Sequence, residues 1–168
     1  LGARYFGLKH VFDDHGLKIQ SLRLDDTGMV LASSMGGFSS EEWDYDDLGR
    51  LVEHRFEDER GAALAGPKGW ALETRRYQPS DIGSSVSIRT FDAQGEPTRR
   101  SEDGVAYVEE RLDASGRLLS RAVFDSSGSP TVEGDARAHK HTYTYDDVGR
   151  MTSRAWFDVG GRPTTHPV

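Results

Sequence analysis

The sequence predicts an all-β fold in which tandem antiparallel β-hairpins form an elongated or spiralling sheet. The first observation is a series of ten glycines in five pairs, with 12 residues within each pair and 33 or 34 between successive pairs. The second is an Asp three residues before nine of these glycines. The third is the alternation of apolar and polar residues in the short segments between turns, which is the period of a half-buried strand. The glycine pairs are Gly16 and Gly28, Gly49 and Gly61, Gly83 and Gly95, Gly116 and Gly128, and Gly149 and Gly161.

This period defines an internal repeat, which determines the architecture of the chain. We expect a single β-repeat array over residues 1–168 with about five repeats. Their expected bounds are 1–33, 34–66, 67–100, 101–133 and 134–168, the last repeat being incomplete. Because the chain starts with Leu1 and reaches Gly16 about half a repeat later, we also expect it to be part of a longer chain.

Each repeat has two turns with the pattern Asp-x-x-Gly, usually preceded by a large apolar residue. Asp favours the first position of a type I turn, where its carboxylate accepts backbone hydrogen bonds, and Gly tolerates the left-handed conformation that follows. The pattern therefore predicts a three-residue hairpin loop with a β-bulge. The structural turn residues it assigns include Asp46, Gly49, Asp113, Gly116, Asp125, Gly128, Asp146, Gly149, Asp158 and Gly161.

The first turn of a repeat also predicts cross-strand neighbours. Hairpin register places Asp46 opposite Arg50 and Tyr45 opposite Leu51. The equivalent predicted pairs are Asp113 with Arg117, Leu112 with Leu118, Asp146 with Arg150, and Tyr145 with Met151. We expect the apolar pairs to form the core face.

The second turn of several repeats is followed by proline. The aromatic residue before the turn precedes this proline by six positions, in Phe91 with Pro97, Phe124 with Pro130, and Phe157 with Pro163. Proline has no N–H to donate, so one side of its strand must be a free edge or the ladder must break there. We expect the first turn to continue the sheet and the second to mark its rim.

Strand alternation predicts which residues share a face. In residues 150–157 it groups Met151, Ala155 and Phe157, with Trp156 as an exception on the other side. The column facing away from the apolar pairs then holds Phe56, Val123 and Trp156. This column is either a partner-binding stripe or a sign that the chain covers both sides of its own sheet, and the pattern favours the second.

Other aromatic residues divide between surface and core. Trp70, in an irregular loop, is the candidate exposed aromatic and is included with the possible partner-binding residues, although a loop Trp more often closes the end of a small core. Trp43, Tyr77 and Tyr143 are predicted on the core face.

Composition restricts the function classes. The net charge of −7 argues against nucleic acid as a partner, because phosphate binding needs clustered Lys and Arg. No hydrophobic run reaches membrane length, so no membrane insertion is expected. The absence of cysteine excludes disulfides and thiol catalysis.

Residues that resemble catalytic or metal-binding groups have structural explanations. The Asp-Asp doublets at 13–14, 25–26, 46–47 and 146–147 occupy turn positions. His139 and His141 form a metal half-site for which His166 would be a distant third ligand, but no other repeat carries these histidines. We therefore predict no catalytic residue, no metal and no cofactor.

Several of these turns resemble a known family. Residues 143–152, Tyr-Thr-Tyr-Asp-Asp-Val-Gly-Arg-Met-Thr, look like the tyrosine-aspartate (YD) repeat of RHS-type proteins, Tyr-x-Tyr-Asp-x-x-Gly-Arg-Leu-x. Residues 43–51 match with Trp for the first Tyr, and residues 112–118 match with Leu for the second. The spacings of 12 and 33 depart from the family's usual repeat of around twenty residues.

The resemblance implies a β-sheet spiral in a large bacterial protein, with a secreted or cell-surface location favoured. Such repeats form a shell around a toxic C-terminal domain or present a contact surface. We expect a non-enzymatic scaffold or protein-interaction segment whose partner is another protein or another domain of its parent chain. The alternatives are a carbohydrate- or cell-surface-binding module, and a casing or sensor for a toxin or enzyme domain elsewhere on the parent chain.

The turn assignment predicts the effect of a β-branched residue at the turn glycines. Replacing Gly116 or Gly149 with Val forces positive φ on a residue that disfavours it, so each variant should lose more than ~1 kcal/mol of folding free energy. Thermal melting measures the loss. Unchanged melting temperatures in both variants would contradict the assignment.

Overall fold

A computed structural model describes residues 6–35, 37–133 and 137–165. Within these residues the fold is all-β, as predicted: eleven antiparallel strands form one sheet and follow one another in chain order. The strands are β1 (Gly7–Phe12), β2 (Lys18–Leu24), β3 (Ser40–Tyr45), β4 (Leu51–Glu57), β5 (Leu72–Ser80), β6 (Gly83–Phe91), β7 (Tyr107–Asp113), β8 (Leu118–Phe124), β9 (Lys140–Tyr145), β10 (Met151–Phe157) and β11 (Pro163–Thr164). A short 3₁₀ helix covers Ser33–Met35.

Contacts divide the chain into two compact units. The first comprises Leu1–Thr74 and Thr90–Thr98, and the second comprises Arg75–Arg89 and Arg99–Val168. Strands β5 and β6 contribute residues to both units.

The Asp-x-x-Gly turns have the same geometry at all nine positions. In the turn at residues 46–50, Asp46 Oδ1 accepts the backbone N–H of Leu48 at 3.0 Å and of Arg50 at 2.9 Å. The Asp46 N–H donates to the Arg50 carbonyl at 2.9 Å, and Gly49 has φ of 71°. The carboxylate therefore holds the loop closed while the glycine takes the left-handed conformation.

Gly83, the remaining glycine of the series, departs from this geometry. Ser80 stands where the other copies have Asp, and β5 and β6 are joined by the two residues Asp81 and Ile82. Gly83 has φ of 150° and lies opposite Asp113, and a Cβ there would come within 2.3 Å of the Leu112 carbonyl oxygen. Glycine is needed here for close approach of two strands.

A β-bulge accompanies the first turn of four repeats. Tyr45 lies opposite Leu51, but its neighbour Asp44 lies opposite Glu53, so Val52 is the extra residue. Leu112 with Leu118 and Tyr145 with Met151 repeat this arrangement, which confirms the three predicted apolar pairs. Directly opposed residues share a face of the sheet. The extra residue at the bulge therefore reverses, along the rest of the second strand, which side chains point to each face.

We call the side of the sheet that carries Tyr45, Trp43 and their equivalents the tyrosine face. Phe56 lies opposite Glu41, two residues along from Trp43, and therefore also lies on this face. Val123 and Trp156 occupy the same position in later repeats, opposite Val108 and His141. The prediction that these three residues face away from the apolar pairs is wrong, because it counted alternation straight through the bulge. For the same reason Met151 shares its face with Arg154 and Trp156, and not with Ala155 and Phe157.

The second turn of each repeat is followed by only a short return arm. Pro97 and Pro130 make single bridges to Phe91 and Phe124, as their predicted register requires, and Pro163 pairs with Phe157 in β11. Beyond the short arm, the first residues of the next repeat pair with the same edge of the strand. The ladder is therefore interrupted at the second turn while the sheet continues beyond it.

One residue of each strand pair connects neighbouring repeats. The Val123 carbonyl accepts the Thr131 N–H of its own return arm, whereas the Val123 N–H donates to the His139 carbonyl of the next repeat. Phe56 does the same with Leu64 and Ala71. We call Ser39, Ala71, Ala106 and His139 the joining residues, since they hold this position in successive repeats; each donates its own N–H to the carbonyl at the end of the next even-numbered strand.

A tyrosine hydroxyl reinforces two of the junctions. Tyr45 donates to the Lys18 carbonyl at 3.0 Å in the first compact unit, and Tyr145 donates to the Leu118 carbonyl at 2.9 Å in the second. Both bonds span 27 residues and reach the first residue of the preceding repeat's second strand. The tyrosine directly before the Asp of the first turn therefore binds its repeat to the previous one.

Each compact unit has its own core. In the second unit Val86, Ile88, Val105, Val108 and Val123 form a cluster against which Tyr77 and Leu112 pack, as the core-face assignment of Tyr77 predicts. In the first unit the core is aromatic and contains Phe56 and Trp70.

Removing the tyrosine hydroxyl tests the contribution of the junction. We expect Tyr45→Phe and Tyr145→Phe each to lower the free energy of unfolding by about 0.5–1.5 kcal/mol, because a carbonyl loses its donor. Denaturant unfolding measures this change. The matched control is Tyr143→Phe, since the Tyr143 ring contacts Arg154 but its hydroxyl makes no hydrogen bond among the described residues. Equal losses in all three variants would contradict the junction role.

Candidate functional site

The possible partner-binding residues are mostly inside the protein. Phe56 is 2% exposed, Trp70 is 3% exposed and Val123 is 2% exposed, while Trp156 is half-buried beside His141 and Arg154. The expectation that Trp70 is an exposed aromatic is therefore wrong, and the other possibility, that it closes the end of a small core, agrees with its position. The chain itself covers Phe56 and Val123, so these side chains offer no partner stripe.

The loop before β5 explains the burial of Trp70. Gly66 donates its N–H to the Trp70 carbonyl at 2.8 Å, and Gly69 closes the loop with φ of 83°. The Trp70 ring then lies 4.8 Å from the Phe56 ring. A Cβ on Gly66 would come within 2.4 Å of the Phe56 ring, so glycine allows the loop to lie directly on the core.

A concave surface lies in the first compact unit. It is a groove of about 540 Å³ on the tyrosine face of β1, β2 and β3. Strand residues form its floor, and two loop segments, at 37–38 and 65–67, form its walls. The lining residues are Leu8, His10, Lys18, Ser21, Arg23, Gly37, Phe38, Glu41, Ala65, Gly66 and Pro67.

Register brings the charged side chains of the groove together. Leu8 lies opposite Arg23, and Ser21 lies between His10 on one strand and Glu41 on the other. The sequence pattern did not predict this site, since its residues come from three repeats. The bulge after Gly16 was the signal that could have placed Lys18 on one face with Ser21 and Arg23.

Aromatic rings hold the two cations of the groove. The Arg23 guanidinium lies 4.9 Å from the centre of the Phe38 ring and donates to the Phe38 carbonyl at 3.1 Å. The Lys18 Nζ lies 3.8 Å from the centre of the Trp43 ring. These contacts restrict both side chains, which reduces the entropy lost when they bind an acceptor.

Glu41 supplies the negative charge of the groove. Burial raises the pKa of its carboxyl, while the positive charges of Lys18, Arg23 and His10 oppose that rise. An acceptor and several donors thus line one apolar-walled groove. This arrangement suits a polypeptide segment with both a polar backbone and charged side chains.

Glu59 holds the loop that forms one wall of the groove. Its carboxylate accepts the Ser33 N–H at 2.8 Å and lies 3.5 Å from the Ser39 hydroxyl. The hydrogen bond from the Ser33 backbone is the main reason that the pKa of Glu59 falls to about 2. The second turn of one repeat is thus tied to the loop of the preceding repeat.

The face opposite the groove carries an ion-pair network. Arg55 of β4 lies within salt-bridge distance of four carboxylates, of which the nearest is Asp44 at 2.5 Å. The other three are Glu42, Glu53 and Glu57. Burial and the nearby Glu42 raise the pKa of Glu57. Glu42 and Asp44 reach Arg55 from the neighbouring strand β3, whereas Glu53 and Glu57 lie two residues from it on β4. Sheet register therefore explains the network, in which carboxylates outnumber the one guanidinium.

The two neighbouring histidines have separate partners. His139 Nδ1 lies 2.8 Å from the Val123 carbonyl oxygen, and His141 Nδ1 lies 3.1 Å from an Arg154 nitrogen. His166, the proposed third ligand, lies outside the described residues. Within residues 6–35, 37–133 and 137–165, no three His, Cys, Asp or Glu side chains are grouped so that they could hold a metal ion.

Comparison with known proteins does not assign the chain to a family. No protein-family model matches the sequence, and no curated protein matches it. No helix in the described part of the chain is long and apolar enough to span a membrane.

The Glu59 contact predicts a pH dependence. A carboxyl whose folded pKa is about 2, against an ordinary 4.5, stabilises the fold above pH 4.5, and this stabilisation is lost as the pH falls towards 2. Glu59→Gln should therefore lower the melting temperature at pH 7 and have a smaller effect near pH 2. Circular dichroism melting across this pH range measures both.

The control for this experiment is Glu96→Gln. Glu96 is an exposed turn residue whose side chain makes no hydrogen bond or ion pair among the described residues. If the melting temperatures of the two variants change with pH by the same amount, relative to the unsubstituted protein, the role of Glu59 is contradicted.

Proposed function

We propose that the chain is a non-enzymatic β-repeat scaffold of the RHS/YD type, a segment of a larger bacterial protein that presents a surface to a protein partner. The observation that carries this proposal is the recurrence of one turn and one junction in successive repeats. Such quasi-one-dimensional arrays commonly serve as extended binding surfaces. The YD-like turns at residues 43–51, 112–118 and 143–152 support the family part of the proposal.

The use of the acidic residues supports a non-enzymatic role. The first Asp of each doublet accepts two backbone N–H groups in its own turn; these residues are Asp13, Asp25, Asp46 and Asp146. Hydrogen bonds lower the pKa of Asp25, Asp46 and Asp146. A carboxylate held in this way is a poor general base, because its proton affinity is reduced.

The groove in the first compact unit supports protein binding. Its cations are fixed against rings, its wall contains Gly66 and Pro67, and Leu8 at its edge is 49% exposed. A carbohydrate-binding role is less well supported, because a row of exposed aromatic rings is expected for it. Among the described residues, Phe6 and Phe12 are the exposed aromatic rings other than histidine.

A repeat scaffold should tolerate the loss of its last repeat. We expect a chain ending at residue 133 to keep the amide hydrogen-exchange protection of β3 to β7, because each repeat contacts only its neighbours. Exchange measured by mass spectrometry compares the shortened and full chains. Collapse of protection throughout the shortened chain would contradict the modular scaffold.

The non-enzymatic part has a separate test. We expect no turnover of ester, peptide, glycoside or phosphate-ester substrates that depends on Glu41 or His10. Turnover that is lost in Glu41→Gln or His10→Gln, while the protein remains folded, would show that the chain is an enzyme and contradict the non-enzymatic proposal.

A further inference from the structure

The second compact unit has a polar concave surface on the side of the sheet opposite the tyrosine face. It has a volume of about 360 Å³ and lies on β5, β6 and β7. We call it the arginine trough. Its polar lining residues include Arg76, Gln78, Ser85, Ser87, Glu109 and Arg111.

The middle strand forms the floor of the arginine trough and β7 forms one wall. Val86 of β6 lies in the core, so its neighbours Ser85 and Ser87 point to the opposite side of the sheet. Register places Arg111 of β7 opposite Ser85, and Glu109 opposite Ser87. Directly opposed residues share a face, so both long side chains of β7 stand beside the small serines.

The other wall of the arginine trough comes from β5. Tyr77 packs against the core, so Arg76 and Gln78, on either side of it, point away from the core. Long side chains therefore rise on both sides of the small residues of β6. Neighbouring strands lie about 4.8 Å apart, so the two walls stand about 10 Å apart. This width leaves room for one extended polypeptide segment between them.

The arginine trough carries positive charge in a protein whose net charge is −7. Arg76 and Arg111 are exposed, and their side chains form no hydrogen bond or ion pair within the described part of the chain. A third guanidinium, that of Arg89, lies 4.4 Å from the ring centre of Tyr107, which also lines the trough.

The acidic residues nearest the arginine trough already have partners. Burial and the Glu109 carboxylate raise the pKa of Tyr107 to about 12, so the Tyr107 hydroxyl keeps its proton at neutral pH and donates it to Glu109. The partners are Tyr107 for Glu109, Arg121 for Glu110, and Arg117 for Asp113. The charges of the trough that are left for a ligand are therefore the guanidiniums of Arg76 and Arg111.

We propose that the arginine trough binds an extended acidic segment of a protein partner, whose carboxylates pair with Arg76 and Arg111. A guanidinium is a planar fork of donors that matches a carboxylate in a bidentate manner. The hydroxyls of Ser85 and Ser87 form no hydrogen bond among the described residues and can bind the backbone of the segment. This inference rests on the proposed scaffold function, since it names the chemistry of the partner.

An acidic polysaccharide is the competing occupant, and the aromatic contacts of the arginine trough disfavour it. The ring of Tyr107 is stacked on the Phe124 ring, with 4.9 Å between their centres, and is also in contact with the Arg89 guanidinium. The trough thus offers charges and hydroxyl groups but no uncovered ring on which a sugar could stack. A polypeptide does not need such a ring.

Binding of a labelled peptide of alternating Glu and Gly to the full chain tests the proposal, with fluorescence anisotropy as the measurement. A peptide of alternating Gln and Gly is the neutral control. Because a protein of net charge −7 repels an acidic peptide, binding indicates a local site. We expect binding that weakens as salt is added. Arg76→Gln and Arg111→Gln should each weaken it about two- to fivefold, the range for an exposed ion pair.

Two further variants separate the arginine trough from general charge effects. Arg162→Gln is the matched control, since Arg162 is an exposed residue of the same unit whose side chain makes no hydrogen bond or ion pair among the described residues. It should bind the peptide as the parent protein does. Ser87→Tyr fills the floor and changes no charge, and it should weaken binding while circular dichroism confirms the fold. Equal weakening in Arg162→Gln, or unchanged binding in Ser87→Tyr, would overturn the proposal.

The same assay distinguishes the competing occupants. Absence of Glu-Gly peptide binding up to millimolar concentration would overturn the proposal. Binding of polygalacturonate instead of the peptide, lost in Arg111→Gln, would overturn it in favour of an acidic polysaccharide. Either failure leaves the repeat scaffold intact if the chain ending at residue 133, which contains the whole trough, keeps its exchange protection.

Discussion

The left-handed glycine at the end of each Asp-x-x-Gly turn is the constraint on which the rest of the structure depends. Its conformation, with φ between 71° and 85° in nine turns, produces the bulge at the first turn of a repeat. The bulge then decides that Phe56 shares a face with Tyr45. A regular two-residue alternation without the bulge would direct Phe56 and Val123 to the opposite face and divide the apolar residues between two sides. The turn thus determines the core as well as the hairpin.

The same register organises the junctions between repeats. The second turn of a repeat occurs at a fixed distance from the first, so each return arm ends at the equivalent residue of its strand. Beyond that residue the next repeat pairs with the same strand edge. The residues that make this contact are Ser39, Ala71, Ala106 and His139. Each junction contains few bonds, and a single net hydrogen bond contributes only about 0.5–1.5 kcal/mol. Stability therefore comes from repetition of a nearest-neighbour contact, as in other repeat arrays.

Sequence reasoning predicted the features that depend on short-range chemistry. Turn residues, the Tyr45 to Leu51 pair and the bridge between Phe91 and Pro97 follow from spacing within one hairpin. The prediction of which face each side chain lies on was wrong beyond the bulge, because one extra residue reverses the alternation. The position of Trp70 depends on Gly66 lying against the Phe56 ring, and the groove depends on residues from three repeats. Such contacts are set by loop closure and are invisible to a periodic pattern.

Departures from the repeat indicate where this chain differs from a uniform array. Position by position, Lys18 and Arg23 of the first repeat correspond to Leu118 and Val123 of the fourth, where the side chain of Val123 is buried in the core. Covering the charged pair with an apolar loop would cost the hydration of two cations without a compensating anion other than Glu41. The tyrosine face of the first repeat therefore carries two half-buried cations at positions that are apolar in the fourth repeat.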